Sequence, residues 1–242
     1  MKSVKFLVVA ISLTIQTVAG QARLGLVGGL HFSEADQVRF FDAGASQSMK
    51  YVLGGIFDYT LTRNLTLLAM PTYSEKGTSA LLMSSDGMGG RLYFDLCYLE
   101  LPLLLKYSIG NDLRPHVVIG PTIGINLSSR LRAELRDPKL GQLQIETSAR
   151  EIVRDLEYSV EVGCGLSYEL DAILTVFLQA RYTRGVNNVA RNGSVRTTLH
   201  GEVVEKRLHD EPVYRNKGLR ILVGFEFPLQ INGKEPPEEL NP

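Results

Sequence analysis

The residues with chemistry to offer fall into two groups. The first is loose: Ser194, His200, Glu202, Glu205, His209, Asp210 and Glu211 crowd one polar stretch near the C-terminus. They contain the ingredients of a hydrolytic triad or a metal site. A triad, however, is defined by geometry rather than content. His200 and His209 also lack the i, i+4 spacing that puts two imidazoles on one helix face. The stretch reads as a solvated loop, and no catalytic residue, cofactor or metal is assigned to it. The second group is periodic. Glu100, Glu161, Arg181, Arg220, Asp58, Lys106 and His116 each sit among apolar neighbours at alternate positions. An isolated charge cannot stay ionised in a dry interior, so such residues must pair. They are expected to form an interior charge network, with Glu100, Glu161, Arg181 and Arg220 near its middle and Asp58, Lys106 and His116 towards one end.

Strands would hold them. Eight segments read as β: residues 23–32, 48–59, 65–73, 93–107, 114–127, 156–169, 173–183 and 219–227. Period-two alternation is the basis. Val117, Ile119, Pro121, Ile123, Ile125 and Leu127 share one face, and His116, Val118, Gly120, Thr122, Gly124 and Asn126 the other. Leu156, Tyr158, Val160, Val162, Cys164, Leu166 and Tyr168 alternate in the same way with Glu157, Ser159, Glu161, Gly163, Gly165, Ser167 and Glu169. Pro102 and Pro121 lie inside strands, where the missing N–H predicts a bulge or local break.

A soluble cup would also alternate, with its apolar face inward. Three features favour the inverted arrangement. The polar face carries glycine and opposite charges, which suit a narrow filled interior. Tyr51, Tyr59, Tyr73, Tyr107, Tyr158, Tyr168 and Tyr182 mark strand ends on the apolar face, as aromatic girdles do at lipid boundaries. Tight connections at residues 62–64, 110–112 and 170–172 alternate with long ones at 33–47, 74–92, 128–155 and 184–218. The expected fold is all-β: an eight-stranded antiparallel up-and-down transmembrane β-barrel, with both termini and the short turns in the periplasm.

The domain plan follows. Residues 1–22 read as a signal peptide: Lys2 and Lys5, then an apolar core from Phe6 to Ile15, then small residues at Ala19, Gly20 and Ala22. Residues 23–229 make the barrel, and 230–242 a short disordered periplasmic tail. Without Lys2 and Lys5, the 26 basic residues fall to 24 against 26 acidic ones. That balance argues against nucleic acid as a partner. Cys97 and Cys164 fall on the lipid face of non-adjacent strands and are expected to be free thiols.

Four stretches carry a family resemblance. They are Tyr73-Ser74-Glu75-Lys76-Gly77, the run Tyr98-Leu99-Glu100-Leu101-Pro102-Leu103-Leu104-Leu105-Lys106-Tyr107, Gly120-Pro121-Thr122-Ile123-Gly124 and Arg181-Tyr182-Thr183-Arg184-Gly185. Together they resemble the PorT-type outer-membrane β-barrel domain family, small barrels similar in architecture to the OmpA membrane domain. The resemblance implies an eight-stranded outer-membrane barrel and supplies no catalytic set. The expected role is non-catalytic structural or interaction work in the cell envelope. The expected partners are outer-membrane lipid and other envelope or secretion proteins. A narrow channel is the second reading, and an outer-rim membrane enzyme the third.

Overall fold

A computed structural model describes residues 22–36, 45–83, 89–137, 141–171, 173–199, 202–208 and 214–229. The expected signal segment up to residue 21 and the tail from 230 lie outside the described residues. The described residues form twelve strands: β1 (Ala22–Asp36), β2 (Ala45–Thr60), β3 (Leu65–Ala69), β4 (Thr72–Met83), β5 (Gly89–Ser108), β6 (Leu113–Asp137), β7 (Gly141–Ser148), β8 (Leu156–Asp171), β9 (Leu174–Gly185), β10 (Gly193–Leu199), β11 (Glu202–Leu208) and β12 (Arg215–Pro228).

Each barrel strand pairs antiparallel with its chain neighbour, and β12 returns to pair with β1, as at Leu30↔Ile221. β3 and β4 lie end to end between β2 and β5 and count as one wall. The ring is therefore an eight-stranded antiparallel barrel. Closure removes the unpaired edges that lipid could not satisfy. β7 widens the sheet beside the far half of β6, and β10 and β11 form a separate hairpin.

Sequence parity sets the inside and the outside. In β8, Val160, Val162 and Leu166 are exposed while Glu157, Ser159 and Glu161 are buried. Leaving a large aliphatic side chain in water forfeits about 1.5–3 kcal/mol. A continuous belt of them is tenable only against hydrocarbon. Tyr51, Tyr73, Tyr107, Tyr158, Tyr168 and Tyr182 are exposed on that face.

The structure corrects two expectations, on the long connections and the third strand, and specifies the one on the prolines. The connections at 74–92 and 128–155 are largely strand: β5 and β6 run for 20 and 25 residues, well past the apolar belt. Beyond lipid both faces are polar, so the alternation that marks a strand fades. Pro102 and Pro121 each mark a local break in pairing, as expected, and neither shifts the register. Pro102 accepts a hydrogen bond from Met70 N at 3.1 Å, and its missing N–H faces the break between β3 and β4 at Met70-Pro71. Opposite Pro121, the β5–β6 pairing lapses at Leu103–Leu104 and resumes in register. The one shift between β5 and β6 lies elsewhere: Cys97 pairs with Ser128 but Tyr98 with Asn126, leaving Leu127 as the extra residue. Finally, the third expected strand is broken in two, because Pro71 cannot donate to a ladder.

Candidate functional site: a layered barrel interior

Inward-facing side chains stack in four levels, starting from the tight-turn end. At the first, Lys106 Nζ lies 2.6 Å from Asp58 Oδ2 and 3.6 Å from Glu226 Oε1. Nearer the mouth, Arg23 Nη2 is 2.8 Å and Arg114 Nη1 4.0 Å from Glu169 Oε1. Three cations thus face three carboxylates at this end, and all but Glu169 line a small polar recess, to which Ser167 and Thr175 also contribute.

The second level is apolar. Val27, Val52, Ile56, Leu68, Met70, Leu104, Val118, Phe177 and Leu222 form one buried cluster across the barrel. A polar thread passes beside it on the β6, β8 and β9 side. The His116 ring nitrogens lie 3.1 Å from Ser167 Oγ and 2.9 Å from the Gln179 side-chain nitrogen, and Arg181 Nε donates to Gln179 Oε1. These are direct side-chain contacts.

The third level holds six buried ions. Arg220 spans two carboxylates, with Nη2 2.6 Å from Glu100 Oε2 and Nη1 2.8 Å from Glu161 Oε1. Arg181 Nη1 is 3.5 Å from Glu161 Oε2. Lys76 Nζ is 2.7 Å from Glu100 and 2.9 Å from Glu157. Thr122 Oγ1 donates to Glu161 and Asn216 Nδ2 to Glu157. Lys76, Arg181 and Arg220 therefore balance Glu100, Glu157 and Glu161. Ions so deep must be matched, since each costs several kcal/mol to take from water and only close partners offset that.

The fourth level caps the long-loop end. Ala35, Phe94, Leu96, Tyr98, Ala149, Ile152, Val153, Val189, Ala190 and Tyr214 form a second buried apolar cluster. A short 3-10 turn, Arg150–Ile152, and a lone bridge between Val153 and Ala190 bring connecting segments over the barrel. Phe94 and Tyr214 meet edge to face at 5.2 Å. Burial, with the nearby Glu157 carboxylate, pushes the Tyr214 phenol well above its ordinary range.

Glu100, Arg220, Glu161 and Arg181 are thus linked in that order by ion pairs, Asp58 and Lys106 form a separate pair nearer the tight turns, and His116 sits between the two groups, against Ser167, Gln179 and the Arg114 carbonyl. The sequence reading left out Lys76, Glu157 and Glu226. Glu157 and Glu226 occupy inward parity positions at strand ends, which was the available signal. Lys76 continues the Thr72, Ser74 parity, but into a stretch read as loop. Of the loose polar group, Ser194 Oγ donates to Glu151 Oε2 at 3.0 Å. Glu202 and Glu205 belong to β11. His200, His209, Asp210 and Glu211 lie outside the described residues. Cys97 and Cys164 are free thiols.

A closed antiparallel ring with an apolar exterior and matched ions inside defines a membrane-spanning β-barrel. The chain belongs to the outer membrane protein beta-barrel domain family, whose profile matches residues 16–191, and its place is the bacterial outer membrane. Among solved structures it is similar to Neisserial surface protein A, with 10% identity, 86% of this chain and 98% of that one covered, and a TM-score of 0.39. It is similar to OprG of Pseudomonas aeruginosa at 10% identity, 86% and 96% coverage and a TM-score of 0.46. It is also similar to the outer membrane protease OmpT of Escherichia coli at 10% identity, 86% and 97% coverage and a TM-score of 0.36. Comparison with curated proteins found no match.

Proposed function

We propose that this barrel is a non-catalytic, non-conducting envelope protein that works through its surfaces. One observation carries the reading: the nine-residue apolar level is packed between two charge-matched ion clusters, under a second apolar cap. Eight strands leave an interior only wide enough for side chains, and here side chains occupy it level by level. An ion entering from the recess at Asp58 and Lys106 would have to cross Leu68, Leu104, Val118, Phe177 and Leu222, or else break the direct contacts of His116 with Gln179 and of Gln179 with Arg181. The tight turns and both ends of the ring, Ala22 and Pro228, lie in the periplasm, and the long-loop end faces outward. Lipid covers the belt. Another envelope or secretion component docks at the long-loop end, where β7 and the β10–β11 hairpin enlarge the surface. Within its family the chain sits with the PorT-type barrels. The Tyr98–Tyr107 run supports this, because it places one residue in every interior level: Tyr98, Glu100, Leu104 and Lys106.

Two measurements test the reading. Pure protein in planar bilayers is expected to leave the current at baseline, and reproducible single-channel steps would sink the non-conducting role. For orientation, Asn111→Cys and Ser194→Cys go into a background with Cys97→Ser and Cys164→Ser. A membrane-impermeant maleimide should label position 194 on intact cells and position 111 only after the outer membrane is opened. The reverse pattern would invert the barrel.

A further inference from the structure

Two strand irregularities converge on one patch of the outer wall, at the long-loop edge of the apolar belt. In β6, inward parity is even up to Asn126 and odd from Ser129, because Leu127 is inserted. A bulge of this kind re-aims every side chain beyond it. Without it Arg130 and Arg132 would point into the barrel. With it they point out, and Leu131 instead packs against the interior cap. In β2, the pairing with β4 lapses between Gln47 and Val52. Two polar groups of β4 opposite that lapse are satisfied from β1: Gly77 N donates to Ser33 Oγ, and Glu75 O meets the His31 ring at 3.2 Å. Lys50, in the lapse, reaches across β4 to Asp95 at 2.5 Å.

The result is an open groove of about 350 Å³, within the ~300–1,000 Å³ range of small-molecule sites. Its composition is graded. At the belt side stand Tyr73 and Leu127, both exposed to lipid. Cys97, Glu75 and Ser128 come next, then Asp95, Lys50, Arg130 and Arg132. Arg132 also lies over the Tyr93 ring at 6.0 Å. Lys76 also lines the groove but is held by Glu100 and Glu157 inside the barrel; the other three cations face two carboxylates, so one positive charge is in excess. Lys50 and Arg132 share Asp95. Among the described residues Arg130 pairs with Glu146 outside the groove, at 3.4 Å, with both side chains about half exposed. Exposed pairs of that kind are worth about 0–1 kcal/mol, so the guanidinium is free to turn to a better anion. An apolar floor in the lipid with a forked cation directly above it is the shape of an amphiphile with a phosphate head. Arginine suits that head, since its fork pairs two phosphate oxygens at once.

We propose that this groove holds the phosphorylated headgroup of an outer-leaflet lipid, with Arg130 and Arg132 on the phosphate, Lys50 beside them, and acyl chains along Tyr73 and Leu127. The proposal rests on the orientation given above. The test uses the full barrel in zwitterionic detergent, where orientation plays no part, with bound lipid counted by native mass spectrometry. The probes are diphosphoryl lipid A, the same lipid stripped of phosphate, and inorganic phosphate. Wild type should retain the diphosphoryl lipid at least tenfold more tightly than the stripped one. Arg130→Gln with Arg132→Gln should lose that preference. Arg63→Gln with Arg91→Gln, the same charge change outside the groove, should keep it. Heat-modifiable gel mobility verifies that every variant is folded. Equal retention by both doubles, or indifference to phosphate removal, overturns the proposal. Displacement of lipid A by millimolar inorganic phosphate would make the groove a site for free anion and overturn it as well. Inverted maleimide labelling alongside selective lipid binding would instead refute the orientation.

Discussion

Arg220→Met is the sharpest probe of the interior. Arg220 is 1% exposed and is the only side chain in contact with both Glu100 and Glu161 among the described residues. Removing it leaves Lys76 and Arg181 against Glu100, Glu157 and Glu161, one buried negative charge too many. Breaking a buried pair costs about 3–5 kcal/mol. Here each stranded carboxylate keeps one cation, Lys76 on Glu100 and Arg181 on Glu161. The lower end, about 3 kcal/mol, is therefore expected. Glu100→Gln alone should cost a similar amount, because Lys76, Arg181 and Arg220 then face only Glu157 and Glu161, one buried positive charge too many. Together the two changes leave two complete pairs, Lys76 with Glu157 and Arg181 with Glu161. The double variant should then lose no more than either single one, a coupling of at least about 3 kcal/mol in magnitude. Urea unfolding in lipid vesicles, with the folded band read by gel mobility, measures all three. Strict additivity, or single losses under about 1 kcal/mol, would refute a dry, mutually dependent ion cluster.

Neighbouring residues on opposite faces of one strand separate packing from lipid contact. Phe177 is buried in the apolar level and Leu178 is 52% exposed. Phe177→Ala should cost about 3–5 kcal/mol in the same urea assay, as expected for an unfilled core cavity. Leu178→Ala should cost less than half as much. A second contrast concerns how closely β1 approaches β12. A Cβ on Gly29 would stand 2.1 Å from Ile221 O, while one on Gly28 meets nothing nearer than 3.7 Å. Gly29→Ala must therefore push two backbones apart, and it should lower the folded yield in refolding gels by at least ~1 kcal/mol of stability. Gly28→Ala should refold like wild type.

What the sequence revealed and what it hid follow from the same rule of parity. β6, β8 and β12 are legible because an apolar outer face alternates with residues that are polar or small. The inner apolar level is not, since Leu104 sits inside the run Leu101–Leu105 and Val118 and Leu222 occupy positions read simply as the polar face. Alternation reports where polar residues point, and it is silent where both faces are apolar. The inserted Leu127 is invisible for another reason: no residue type marks it, and only the partner strand shows that one residue too many has been used. Pro102 and Pro121 draw attention instead, yet Pro102 fits because its absent donor faces a gap already present at Pro71. Lys76 is missed because alternation was followed only as far as the lipid, whereas β4 continues to Met83.

The same parity rule explains why the interior carries ions at all, when apolar packing would be no less stable. A one-residue slip between strands exposes every interior residue to lipid and is strongly rejected. A two-residue slip keeps every face correct, so apolar alternation alone cannot reject it. Glu100 stands opposite Gly124 on β6 and Thr72 on β4, and its bond to Arg220 crosses the barrel to β12. Sliding β5 by two residues moves that carboxylate about 7 Å along the strand, beyond reach of both Arg220 and Lys76. The stranded ions then oppose the slipped register by several kcal/mol. The cluster is on this argument a register lock. Replacing all six ions by apolar side chains of similar size should leave a barrel that still migrates as folded in gels but gives more than one set of amide resonances. A single sharp set from that variant would mean that register is fixed elsewhere, for instance by the Leu127 bulge, the β3–β4 break or the irregularity between Gln47 and Val52.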